Sequence, residues 1–103
     1  MILESAILNI RAGESEDFER AFKRASPLIA STPGYVSHDL LDCVESPDRY
    51  LLLVRWETLE AHIVGFRQSE IYKEWKALLH HFYDPFPVVE HFHTVLQWPV
   101  QAD

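Results

Sequence analysis

The chain opens on a short apolar run, Ile2 to Ile10, whose length and Ile/Leu content predict a β-strand. Arg11-Ala12-Gly13 turns the chain, and Ser15 is the expected N-cap of a helix. Glu16 and Asp17 fall in its first turn, where the helix dipole favours carboxylates. Phe18, Phe22, Ala25 and Ile29 then recur at helical spacing on one face, with Glu19, Arg20, Lys23 and Arg24 on the other. Pro27 is expected to kink the helix or distort its last turns, and Pro33-Gly34 stops it after about Ser31.

A second strand is predicted over Tyr35 to Val44 and a third over Arg49 to Glu57, joined by the loop residues Glu45-Ser46-Pro47-Asp48. The third strand is apolar on both faces through most of its length, so it calls for cover on both sides. Thr58 is an expected N-cap for a short helix over Glu60 to Phe66, weakened by Gly65. Ser69 caps a further helix to about His81, with Ile71, Trp75, Leu78 and Leu79 on its buried side. Asp84-Pro85-Phe86-Pro87 ends it, Val88 to Trp98 reads as a last strand, and 99–103 as a frayed tail. The order β-α-β-β-α-β predicts a ferredoxin-like α+β fold, a four-stranded antiparallel sheet with helices on one face. The opposite face is left bare and apolar, suited to packing on a second copy of the chain.

Composition sharpens that expectation. A chain of 103 residues is one domain, taken here as 1–98, yet 48% of it is hydrophobic and 13% aromatic. That is more apolar surface than one small core readily hides, which again favours a homodimer. The net charge of −7 and nine scattered Lys and Arg residues speak against a nucleic-acid partner. No apolar run approaches the ~20 residues of a membrane span. The first residues carry Glu4 and no basic leader, so they do not read as a signal peptide. The lone Cys43 excludes an intramolecular disulfide and fits a reducing, cytoplasmic setting.

Several segments together resemble the antibiotic-biosynthesis monooxygenase (ABM) family. They are Pro33-Gly34-Tyr35, the run Tyr50 to Glu57 with Thr58-Leu59-Glu60-Ala61-His62, the helix carrying Phe66, Ser69, Tyr72 and Trp75, and Phe82-Tyr83-Asp84-Pro85-Phe86. The resemblance spans about residues 2–95. It implies a dimeric α+β barrel with a pocket in each protomer between helices and sheet. It further implies a monooxygenase that needs no metal, flavin or heme and oxidises a reduced aromatic or quinol-type metabolite with O₂. In that chemistry the protein helps deprotonate a phenol or enol, the anion passes an electron to O₂, and the two radicals combine. The heme-degrading branch of the family has Asn, Trp and His where this chain has Ala6, Phe66 and Lys76, so heme degradation is not expected. A non-catalytic small-molecule-binding or stress-response dimer is the alternative use of the same pocket.

Such a pocket needs aromatic walls and a few polar groups able to hold an anion. Imidazole is the side chain best matched to taking a proton near neutral pH, and His62 lies closest to the pocket-facing Phe66. His62 is therefore the candidate base or anion partner, with Tyr72 as a catalytic hydrogen-bond donor. Phe66, Trp75, Tyr83 and the helix-end pair His80 and His81 are the candidate substrate contacts. Neighbours on a helix differ by ~100°, so at most one of His80 and His81 faces inward. The plainer alternative is that the aromatics are core and His62 bonds a backbone carbonyl. His91 and His93 share a strand face, a weak start for a metal site; no metal or organic cofactor is expected. Arg67 and Lys76 are possible charge partners, and Cys43 has no histidine to activate it.

Overall fold

The computed structural model describes residues 1–100; 101–103, the end of the expected tail, lie outside the described residues. Strand β1 (Ile2–Asn9), helix α1 (Ser15–Ala30) and strands β2 (Tyr35–Asp42) and β3 (Arg49–Trp56) follow the expected order. A six-residue π-helix (Ala61–Phe66), helix α2 (Glu70–Leu79), a 3₁₀ turn (His80–Phe82) and strand β4 (Val89–Phe92) complete it. The sheet is antiparallel in the order β2-β3-β1-β4, the ferredoxin-like arrangement, with the helices on one face.

Alternation along the strands decides which side chains meet the helices. Ala6 and Leu8 on β1, and Tyr50, Leu52, Val54 and Trp56 on β3, point inward and are buried. Helix α1 lays Phe18, Phe22, Ala25 and Ile29 over them, and α2 adds Trp75 and Leu79. The intervening residues of β1 and β3, Leu3, Ile7, Leu51 and Leu53, point to the outer face and stay partly or largely exposed. The apolar third strand thus divides into one fully buried row and one half-exposed row.

Three expectations are corrected. Helix α1 starts at Ser15 rather than being capped by it; the Ser15 hydroxyl donates to the Asp48 carboxylate in the β2–β3 loop instead. As expected it ends just before Ser31, with Pro27 inside it. The N–H that Pro27 lacks would have bonded the carbonyl of Lys23, an exposed mid-helix residue, where water can replace it. The helix over Glu60 to Phe66 is a π-helix at Ala61–Phe66, closed by Arg67 N–H donating to His62 O at 3.0 Å. The last strand is only Val89–Phe92, not Val88 to Trp98. Its pairing runs from Ala6↔Val89 to Leu3↔Phe92, and beyond that β1 has only Ile2 and Met1 left to offer. Val95, Leu96, Trp98 and Val100 are accordingly exposed. No helix among the described residues is long and apolar enough to cross a membrane.

Candidate functional site

Between the inner sheet face and α2 lies a cavity of about 400 Å³. Glu4, Ala6 and Leu8 of β1, Leu52 of β3 and Val89 of β4 form its floor. His62, Phe66 and Arg67 come from the π-helix and the residue after it, and Tyr72 and Trp75 from α2. His80, Tyr83, Phe86 and Pro87 close the remaining side.

The π-helix is seated by a glycine. Gly34, at φ +88°, opens β2 so close to the π-helix that a Cβ there would lie 2.6 Å from that of Ala61. Only glycine allows both that dihedral and that approach. The next residue along is His62, whose imidazole lines the cavity. Isolated π-turns cluster at functional sites because they re-aim side chains at some cost in backbone geometry.

His62 is 3% exposed and Glu4 5% exposed, and they meet at the bottom of the cavity. Glu4 Oε1 accepts the Trp56 indole N–H at 2.9 Å and lies 3.2 Å from His62 Nε2. The other His62 nitrogen, Nδ1, is 2.8 Å from His91 Nε2 on β4. Glu4 and His91 are cross-strand partners in the β1–β4 register, so a single imidazole spans both. Trp56 stacks on His62 at 5.2 Å with 16° between the planes, which fixes the ring's orientation.

Stripping a carboxylate of water costs several kcal/mol unless partners replace it. Burial pushes the Glu4 carboxyl above its ordinary value, and the Trp56 hydrogen bond and the nearby Arg67 guanidinium only partly pull it back. Burial, then Arg67 and His91, push His62 down to about 3. Distance alone would make Glu4 and His62 an ion pair, but burial opposes charge on both, and His62 is neutral near neutral pH. With Glu4 ionised, Oε1 can only accept, so His62 carries its proton on Nε2. Its bare Nδ1 then accepts from His91 Nε2–H. Glu4 Oε2 takes no hydrogen bond among the described residues. The atom of the pair left without a hydrogen bond among the described residues is therefore a carboxylate oxygen of a cavity-lining residue, while both nitrogens of His62 are occupied.

The remaining candidates divide cleanly. Phe66 packs edge-on against Tyr72 at 5.1 Å and Trp75 at 5.6 Å, forming one aromatic wall. His80 reaches the cavity, lying 5.6 Å from Tyr83 and 5.0 Å from Phe86 by ring centroids. Burial holds the Tyr72 and Tyr83 phenols above their ordinary value, so both stay protonated, and neither hydroxyl bonds a protein group among the described residues. His81 is the outlier. It is exposed, borders a shallow surface with Asp17 and Arg20 away from the cavity, and offers its carbonyl to Arg11. Its expected substrate contact is withdrawn, since α2 gives way to the 3₁₀ turn with His80 inward and its neighbour outward. Nor do His91 and His93 act together: β4 ends at Phe92, and one His91 nitrogen is taken by His62.

Sequence reasoning missed Glu4 as a site residue. The available signal was a lone carboxylate in a strand, two and four residues before the inward-facing Ala6 and Leu8. Same-face spacing puts it in the interior, where an acidic residue is rarely found without a purpose.

Comparisons with known proteins agree with one another. The sequence pattern of the family described as "Antibiotic biosynthesis monooxygenase" matches residues 1–78. The uncharacterized protein YczJ of Bacillus subtilis (strain 168) is 55% identical over 95 residues, covering 92% of this chain and all of that one. A Bordetella bronchiseptica crystal structure, provisionally assigned as an antibiotic biosynthesis monooxygenase, superposes with a TM-score of 0.88 at 37% identity. That match covers 92% of this chain and 97% of the other. SnoaB, a cofactor-independent oxygenase from Streptomyces nogalater, gives 0.81 at 20% identity over 96% and 97% of the two chains, a likeness of fold.

Proposed function

The chain belongs to the antibiotic biosynthesis monooxygenase family, and on that footing we propose that it is a cofactor-independent oxygenase of a reduced aromatic or quinol-type small molecule. The observation that carries this reading is the buried Glu4–His62 pair, which lines an aromatic-walled cavity with one carboxylate oxygen free of hydrogen bonds among the described residues. A flat phenol or enol fits between the Phe66–Trp75 wall and the Tyr83 side. Its acidic proton passes to Glu4 Oε2, while His62 Nε2–H and the Trp56 N–H steady the carboxylate through Oε1. A carboxyl raised by burial accepts that proton more readily, once ionised, than an exposed one. The Tyr72 hydroxyl donates to the substrate oxygen as negative charge gathers there, and Arg67 at the rim favours the same charge.

The substrate anion gives one electron to O₂, and the substrate radical and superoxide join through a new C–O bond. The peroxide anion takes back the proton held by Glu4, and O–O cleavage releases water and leaves a carbonyl. In sum, RH₂ + O₂ gives R=O + H₂O, with no outside reductant. Trp75, Phe66 and His80 act as substrate contacts. The active form in this reading is a cytoplasmic homodimer packed through the outer sheet face. Support for the dimer comes from Ile7, Leu41 and Phe92, which are 44%, 46% and 50% exposed there. A light-scattering mass of two chains is expected, and a mass of one would overturn that part.

The test is oxygen uptake by metal-stripped protein across a panel of anthrones, quinols and catechols. Uptake above the uncatalysed rate, abolished by Glu4→Gln, is the expected result. Saturable binding that leaves every compound unchanged would replace this reading with that of a binding protein.

A further inference from the structure

Glu4 lies at the bottom of the cavity, so a bound aromatic molecule covers its free oxygen and blocks direct proton exchange with water. A second route leaves from the other side of the pair. From Glu4 Oε1 it crosses 3.2 Å to His62 Nε2, passes through the ring, and crosses 2.8 Å from Nδ1 to His91 Nε2. His91 is half-buried on β4, the edge strand of the sheet, and its own Nδ1 has no hydrogen bond among the described residues.

We infer that Glu4, His62 and His91 form a proton path through which the buried carboxyl exchanges its proton with the β4 edge while the cavity is occupied, resetting its charge whenever the proton taken from the substrate is not the one returned to the peroxide. This rests on the reading of Glu4 as the base. Inward transfer begins with a proton arriving at His91 Nδ1. His91 passes its Nε2 proton to His62 Nδ1, and His62 passes its own Nε2 proton to Glu4 Oε1. The result is neutral Glu4 with both rings protonated on Nδ1, and the reverse sequence exports one proton. Each ring gains one N–H and loses another, so no imidazolium accumulates. That suits a ring whose cationic form burial disfavours.

The surroundings fit this path. Arg67, just past the π-helix, is the charged group facing all three members, and it disfavours a cation on either ring. Tyr72 from α2 and Tyr83 after the 3₁₀ turn face Glu4 with neutral phenols. His80 faces the cavity rather than the pair, and β3 contributes only the Trp56 donor, which cannot accept a proton. His91 is thus a positioning residue that acts through His62, without touching substrate.

The experiment is a pH titration of the full chain, uniformly ¹³C,¹⁵N-labelled, read by the tautomer-sensitive shifts of the two ring nitrogens of each histidine and by the Glu4 carboxyl carbon. On the alkaline side of the Glu4 transition, both His62 and His91 are expected to carry the proton on Nε2. Through the transition both move it to Nδ1 together, in step with the Glu4 carboxyl carbon. In His91→Phe, exchange of the His62 ring proton with water should slow by about tenfold or more, since imidazole is the group suited to the relay. His91→Gln, whose amide can still donate to His62, controls for packing and should lose the relay equally. Tautomers that stay fixed while Glu4 titrates would overturn the path, even if Glu4→Gln abolishes turnover and so upholds the base. Tautomers that move together uphold the path, even if no compound in the panel is oxidised.

Discussion

Two histidines in this fold each sit between two polar partners, and the difference between them separates a structural network from a chemical one. His38 on β2 receives the Tyr35 hydroxyl at Nδ1, at 2.5 Å, and lies 2.9 Å from Ser26 Oγ through Nε2. Ser26 spends its only proton on the carbonyl of Phe22, so its oxygen can only accept and His38 is held in one tautomer. The chain ends in a helix backbone, tying α1 to β2, and no proton can move along it. His62 has a titratable group at each end, Glu4 and His91, and either ring nitrogen can carry the proton. Both histidines are shifted down by burial, so a perturbed acidity does not tell them apart. What distinguishes the second is the end groups and a cavity beside them.

The contrast can be broken first at Glu4. Glu4→Gln keeps an acceptor for Trp56 but removes the proton acceptor, and oxygen uptake should fall about 10²–10⁴-fold. Urea unfolding should show the fold intact, since an amide is cheaper to bury than a carboxylate. Gly34→Ala is next, because it adds a methyl 2.6 Å from Ala61 at a positive φ. A stability loss of about 1–3 kcal/mol is expected, with lower turnover as His62 is displaced. Equal stability would mean that the π-helix is not seated by this glycine.

The pH dependence of stability sharpens the comparison further. Folded His62 refuses a proton that the unfolded chain binds below 6.5, so its contribution is present above that value and is lost as pH falls toward about 3. Folded Glu4, raised above 4.5, holds a proton that the unfolded chain has released, so its contribution is present below that value and lost as pH rises. Between 4.5 and 6.5 the two slopes oppose one another. Glu4→Gln should uncover a stability that rises with pH in this window, and His62→Phe one that falls. Each slope is at most about 1.4 kcal/mol per pH unit, measurable by urea midpoints at a series of pH values. The smallest effect belongs to the closed network: Ser26→Ala should cost about 1 kcal/mol and leave turnover unchanged. A loss of activity there would erase the distinction between the two histidines.

Periodicity was enough for α1 and for the order of the strands, because Phe18, Phe22, Ala25 and Ile29 leave one way to face the sheet; an apolar run alone did not fix the length of β4. Such a run says nothing about how much of the partner strand remains to pair with it. The family resemblance and side-chain chemistry, rather than periodicity, pointed to His62, Phe66, Tyr72, Trp75, His80 and Tyr83, which line one cavity, and to His81, which lies outside it. The π-turn left no trace in the spacing of apolar residues, and the close approach of Gly34 to Ala61 beside it is a tertiary contact. Glu4 was legible in principle from its parity with Ala6 and Leu8, but its meaning depends on His62, 58 positions later. The link from His62 to His91 is a tertiary contact that no local pattern encodes.

The most direct test of the account is oxidation under ¹⁸O₂ of whichever anthrone or quinol the wild-type chain consumes, set beside the Glu4→Gln and Ser26→Ala variants. The account predicts a product carbonyl labelled from ¹⁸O₂, a rate lost with Glu4 and a rate kept without Ser26. An unlabelled product, or turnover indifferent to Glu4, would contradict it.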